Sequence, residues 1–199
     1  STIYDQLVVL EYNDAQPAIY TLAKIKRIIE LCNYLEEQQR TQNDDNDKFK
    51  IFLLTSHSEV AARLIAEPDQ NSQDLVNKFF KSVKKTESLN DLIKGIYDAS
   101  ELQATEEKLL KELSAANTLY AIRNEYAHQG NFTGKVFQPA DGDEDYTNCM
   151  YCLSKIKEND EGVTHISLEF TLKYKKFLVI YRKALQNLLS EYVRIKNSA

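Results

Sequence analysis

Glycine and proline are scarce, at five and three residues in 199. That scarcity argues against a turn-rich β-sandwich and for long helices. No apolar run approaches the ~18 residues a membrane span needs, so no membrane association is expected. The first residues, Ser1-Thr2-Ile3-Tyr4-Asp5, carry no basic n-region, and no secretory leader is expected. Cysteine is limited to Cys32, Cys149 and Cys152, an odd number with no evident pairing, which points to a reducing, cytoplasmic setting. The net charge of -5 argues against a general nucleic-acid coat protein and leaves room for a local basic groove. There is no Gly-rich phosphate loop, no cluster of His or carboxylates at metal-ligand spacing and no nucleophilic Ser elbow. No metal and no cofactor are expected, and any enzyme chemistry is expected to be metal-free.

What the chain does have is apolar periodicity. Its 43% of hydrophobic residues is enough for one core, so residues 1–199 are read as a single domain. Ile3, Leu7, Val8 and Leu10 mark a short helix or strand. Asp14 and Pro17 open a first long helix, with an apolar face from Ile19 to Leu35 and a polar tail at 36–40. After the polar loop 41–47, a second helix spans 48–66 with Phe49, Phe52, Leu53, Val60, Leu64 and Ile65 as its core side. Ser72 begins a third helix through Leu75, Val76, Phe79, Phe80 and Val83, with Lys78, Lys81, Lys84 and Lys85 on its solvated side. Residues 87–97 suggest a short helix, and Ser100 or Thr105 caps the next one. Residues 131–146, with Gly134, Pro139, Gly142 and the acidic run 141–145, predict a mobile loop. Cys149–Ile156 and Val163–Ile166 are β-leaning on either side of a turn. Ser167 then caps a last helix to about Ile195, with Leu168, Leu172, Phe177, Leu178, Tyr181, Leu185, Leu188, Leu189 and Tyr192 inward. The expected fold is all-α: an up-and-down helical bundle with a loop and small β-hairpin inserted over 131–166, before the last helix.

The most informative stretch closes the helix that precedes this insertion. Leu109, Leu113, Ala116 and Tyr120 form an apolar stripe that continues to Arg123 or Asn124 and then Ala127. An arginine and an amide on a core-facing stripe break the pattern, and such breaks concentrate at functional sites. Gly130 supplies the stop, which puts His128 in the last turn. Tyr120, Asn124 and His128 share a row at four-residue spacing. Arg123 and His128 stand about 140° apart around an ideal helix and converge only through the long arginine side chain or fraying of the terminus. A guanidinium fork grips phosphate oxygens, and an imidazole moves protons near neutral pH.

Arg123-Asn124-Glu125-Tyr126-Ala127-His128 resembles the signature of the HEPN superfamily: an arginine, a polar residue directly after it, and a histidine four to six residues on. Ala127 before the histidine and Gly130 after it strengthen the likeness, which is sharp over ten residues and loose elsewhere. The resemblance implies a metal-independent RNA endonuclease in which the substrate's 2′-OH attacks the adjacent phosphate and leaves a 2′,3′-cyclic phosphate. Arg123 would hold the scissile phosphate, His128 would act as general base or acid, and Asn124 would orient one or the other. Tyr126 would donate a hydrogen bond or stack on a base. The family also implies a homodimer whose two motifs meet, an antitoxin or regulatory protein as partner, and a toxin–antitoxin, abortive-infection, antiphage or RNA-processing setting. A competing reading is a non-catalytic HEPN-like module that binds nucleotide or protein, which the acidic balance and the insertion favour. A third is an unrelated helical protein.

Other constellations carry two readings each. Residues 167–196 hold Lys173, Lys175, Lys176, Arg182, Lys183, Arg194 and Lys196 against two glutamates. This is either a solvated helix face or an RNA-facing surface in which Lys173 and Lys176 bind phosphates. His57 is either a partly exposed helix residue or a second polar group of the site, with Ser56 and Glu59 facing the motif helix. Cys149 and Cys152 read as strand packing, since a zinc site would need Cys32 and His165 to complete it. The run 141–145 lacks the later Glu of a calcium loop and reads as solvated.

Overall fold

A computed structural model describes residues 3–8, 10–38, 46–83, 115–130, 137, 150–156, 163–169 and 173–198. Over these residues the architecture is all-α apart from one antiparallel strand pair. Helices α1 (Ile3–Val8), α2 (Tyr12–Gln38), α3 (Asp47–Ala62), α4 (Ser72–Lys81), α5 (Ala115–Gln129) and α6 (Tyr174–Ser198) follow in order. A 3-10 turn, Arg63–Ile65, extends α3. The expected helix at 87–97, its neighbour's cap at Ser100 or Thr105, the acidic run 141–145 and Cys149 lie outside the described residues.

Local chemistry explains the helix ends. Asn71 accepts a hydrogen bond from the Asp74 backbone N–H at 2.9 Å, which satisfies one donor that α4 would otherwise leave unpaired. At the far end of α5, Gly130 takes φ 59° and its N–H donates to the Tyr126 carbonyl at 3.2 Å. Left-handed backbone is where glycine has no Cβ penalty, so the helix stops there.

Helix α3 is the hub, packing against α2, α4, α5 and α6. Its buried set is Asp47, Lys50, Ile51, Leu54, Thr55, Ser58, Ala61 and Ala62. This corrects the face expected from Phe49, Phe52 and Val60: the two phenylalanines are half-buried, and Val60 is 41% exposed. A helix covered on several sides has no single apolar stripe to read. Its buried polar groups persist because most of them find partners.

Helix α6 is the apolar wall. Tyr174, Phe177, Leu178, Tyr181, Leu185, Leu188, Leu189 and Tyr192 are buried along it, each large side chain contributing ~1.5–3 kcal/mol by leaving water. Tyr181, completely enclosed, donates to the Leu54 carbonyl at 3.0 Å and packs on Phe79 with ring centres 4.9 Å apart. Tyr174 bonds to Asn33 near the end of α2, and Tyr192 bonds to the Asp14 carbonyl near its start, so α2 and α6 run antiparallel. The helix begins at Tyr174, not at Ser167, because Val163–Glu169 is a strand pairing antiparallel with Met150–Ile156 in the register Met150↔Glu169 to Ile156↔Val163. Leu172 lies outside the described residues.

A buried ionic cluster ties the N-terminal end of α3 to its surroundings. Lys50 is fully enclosed; its ammonium pairs with Glu36 and with Asp47, the latter at 2.6 Å. It also lies over the rings of Tyr174 and Phe137, at 4.7 and 5.7 Å. Asp47 in turn accepts from the Phe137 N–H at 2.9 Å. Phe137 belongs to the stretch expected to be a mobile loop, yet it is buried against Tyr174 and Phe177. The loop expectation rested on its glycines and acidic residues and overlooked this one aromatic anchor.

Candidate functional site

The site is built from α5 outward. Ala116, Thr118, Leu119 and Ile122 are its buried residues, so the core-facing stripe runs through Leu119 and Ile122. The expected continuation to Ala127 is corrected: Ala127 and His128 are both exposed, on the turn that ends at Gly130. Arg123 and Asn124 are half-buried at the edge of the packed face.

Helix α5 lies against α3 and α4, and these two helices supply the surroundings of Arg123. Its side chain is 24% exposed. One terminal nitrogen donates to Asn124 Oδ1 at 2.8 Å, the other reaches Glu59 Oε2 at 3.5 Å, and Nε reaches Ser56 Oγ at 3.4 Å. The guanidinium also sits 5.8 Å from the centre of the Tyr120 ring. Glu59 is shared: its other oxygen accepts from Ser72 Oγ at 2.9 Å and from Arg63 at 3.1 Å. One carboxylate therefore faces two guanidinium groups.

Ser56 and Glu59 do face the motif helix. His57 does not join them; its Nδ1–H donates to the Leu53 carbonyl at 2.8 Å, an internal bond within α3. Tyr126 packs its ring on Phe52 and Phe49, with centres 5.1 and 5.7 Å apart, and burial raises its phenol pKa. His128 is exposed, and no hydrogen bond or ion pair among the described residues joins it to Arg123 or Asn124. Lys173 precedes α6 and Lys176 lies in its first turn, both exposed. No bond among the described residues links either lysine to Arg123, Asn124 or His128.

Sequence reasoning missed Arg63 and Ser72 as partners of Glu59, and the amide ladder in which Asn117 Oδ1 accepts from Gln73 and Asn77 at 3.0 and 2.7 Å. The Glu59/Arg63 pair was readable as an i,i+4 couple on α3; the other contacts join distant segments. Glu125 Oε2 and Thr55 Oγ1 are buried without a partner among the described residues.

The arrangement offers a half-exposed guanidinium held by exchangeable hydrogen bonds, with an accessible imidazole on the next turn. A phosphate would compete directly with Glu59 for the guanidinium, since both are oxyanions matched to its fork. Among the described residues no group of three or more His, Cys, Asp and Glu could hold a metal ion, and no helix is long and apolar enough to cross a membrane. Cys32 is buried beside Lys50 and Tyr174. Comparison with protein-family models, with curated proteins and with solved structures returns no match.

Proposed function

We propose that the chain is a metal-independent RNA endonuclease of HEPN type, acting in a toxin–antitoxin, abortive-infection or antiphage setting. The observation that carries the reading is the terminal turn of α5. Arg123 is fixed by Asn124 at 2.8 Å yet keeps 24% of its side chain open, and His128 stands free in solvent one turn on. In the proposed reaction the 2′-OH gives its proton to a His128 imidazole and its oxygen bonds to phosphorus. The bond from phosphorus to the 5′ oxygen breaks, and that oxygen leaves with a proton from a second acid. Arg123 neutralises the charge that gathers on the phosphoryl oxygens. Two proton transfers call for two groups, so the active form is a homodimer with the two His128 side chains facing one cleft. Asn124 orients Arg123, and Lys173 and Lys176 extend the phosphate track. The full reading is a cytoplasmic, single-domain up-and-down bundle over 1–199, with the strand pair an insertion before α6 and an antitoxin or regulator as its protein partner.

The test is cleavage of single-stranded RNA by purified protein in EDTA. Arg123→Ala and His128→Ala are each expected to lower the rate by ~10²–10⁴-fold while leaving Tm in place, with cyclic-phosphate ends on the products. Cleavage that survives both substitutions ends the nuclease reading of this site.

A second reading is a non-catalytic module that binds nucleotide or protein. It is favoured by the Arg123–Glu59 ion pair and by the packing of Tyr126 on Phe49 and Phe52, which give both side chains internal partners. RNA retained without cleavage, and released by Arg123→Ala, is its expected signature.

A further inference from the structure

Helices α2 and α6 are bridged at both ends but part between them. Tyr174 meets Asn33 at one end, and Tyr192 meets Asp14 at the other. Between these ties lies a cleft of about 540 Å³. Its floor is purely aliphatic: Leu22, Ile25 and Ile29 from α2, Leu185 and Leu189 from α6. From Leu22 to Asn33 it follows α2 for ~16 Å at 1.5 Å per residue.

The rim is charged. On α2, Lys26 and Glu30 pair at 3.9 Å and answer one another. On α6, Arg182 is exposed, and among the described residues no carboxylate pairs with it. Asn33, at the end of the cleft, turns its Oδ1 to the Tyr174 hydroxyl at 3.2 Å, which leaves its amide NH₂ as a donor on the other side.

Each feature narrows the occupant. An apolar floor with its polar groups confined to the margin, here Lys26, Glu30, Asn33, Arg182 and Gln186, is the usual form of a small-molecule site. No aromatic side chain lines it, so a nucleobase would find no stacking surface. A second helix, ~10 Å across, would have to bury the charged Lys26, Glu30 and Arg182 that rim it. The unanswered charge is positive. We propose that this cleft binds an unbranched aliphatic carboxylate, with its chain along Ile25, Ile29, Leu185 and Leu189 and its head group at Arg182 and Asn33.

The inference is independent of RNA cleavage and is tested by binding. Dodecanoate, held below its micelle concentration, is titrated into the full chain by calorimetry. One equivalent is expected to bind, and Tm to rise. Leu22→Phe, at a half-buried position that tolerates a larger ring, narrows the cleft and is expected to weaken binding at least tenfold. Arg182→Gln, at an exposed position, is expected to weaken dodecanoate binding about tenfold while leaving the affinity for dodecanol unchanged. Absence of saturable binding would overturn the proposal. So would several equivalents bound regardless of Leu22→Phe, which is surface adsorption only. Equal loss of acid and alcohol in Arg182→Gln would also overturn it, because the head group would then have no role.

Discussion

Two cations lean on carboxylates of α3 under opposite conditions. Lys50 is completely enclosed, with Asp47 and Glu36 at its ammonium and the rings of Tyr174 and Phe137 over it. Arg123 rests at the edge of the α3–α5 seam, partly open, on a carboxylate that it shares with Arg63. Burial alone would lower the pKa of Lys50, but Asp47 and Glu36 overcome it and the value is raised. Its charge is therefore committed to the fold, and water cannot replace a lost partner there. The bonds of Arg123 are only part-buried: its side chain is 24% exposed and that of Glu59 13%. The difference separates a cation enclosed by its partners from one at a partly open edge of the packed helices.

The largest effect expected from this comparison is on stability. Lys50→Met keeps the volume and removes the positive charge from the buried cluster that includes Asp47, 3% exposed, and Glu36. Loss of one partner from a buried pair costs ~3–5 kcal/mol, to be read from urea unfolding midpoints. Arg123→Ala breaks a half-open pair and is expected to cost no more than ~1 kcal/mol. Equal losses in the two variants would erase the distinction and place Arg123 among the structural residues.

A smaller effect sharpens the same contrast along the pH axis. Burial pushes the Cys32 thiol from 9.0 up to about 12, against the opposing pull of Lys50. Burial also raises the phenols of Tyr174 and Tyr181. Each group holds its proton more tightly folded than unfolded. The stability it contributes is complete below its unfolded pKa and is lost as pH rises through the folded one. Cys32 acts first, from about pH 9, before the tyrosines and Lys50 take part. A slope of up to ~1.4 kcal/mol per pH unit is expected between pH 9 and 10. Cys32→Ala should flatten it, whatever constant cost the smaller side chain adds. An unchanged slope in that variant would remove the thiol from the buried cluster.

Local features of this chain are legible in its sequence, and nonlocal ones are not. The start of α4 at Ser72 and the stop of α5 at Gly130 follow from neighbouring residues, and both helix ends appear as expected. The inward face of α6 from Phe177 to Tyr192 follows from its spacing. The face of α3 does not, because four other helices cover it and their contacts decide which residues are buried. The start of α6 is displaced by six residues, from the Leu168 that a Ser167 cap implies to Tyr174, because Ser167 and Leu168 fit a strand as well as a helix. At the site, the Arg123–Asn124 contact is visible in the order of residues. The Glu59 contact spans 64 positions and depends on how α3 meets α5. Lys50 illustrates the same limit: nothing in Asp47-Lys48-Phe49-Lys50 distinguishes the enclosed lysine from the half-buried one two places before it.

The smallest effect is expected at Glu59 and bears most directly on whether Arg123 is available. Glu59→Gln keeps the length and shape of the side chain, and one oxygen can still accept from Ser72. It withdraws the negative charge from both Arg123 and Arg63. Arg63 is 54% exposed and loses little, because water screens it. Arg123 loses the oxyanion that a phosphate would otherwise have to displace. If Glu59 only competes with substrate, Glu59→Gln should bind single-stranded RNA about fivefold more tightly, equivalent to ~1 kcal/mol. The gain should shrink as salt screens the site, with little change in Tm. If Glu59 instead holds Arg123 in its working orientation, the same variant should bind RNA more weakly and lose thermal stability. Fluorescence anisotropy of a labelled oligonucleotide at two salt concentrations, with a melting curve, separates these outcomes. Weaker binding would show that the half-open cation, like Lys50, depends on its carboxylate for more than charge balance.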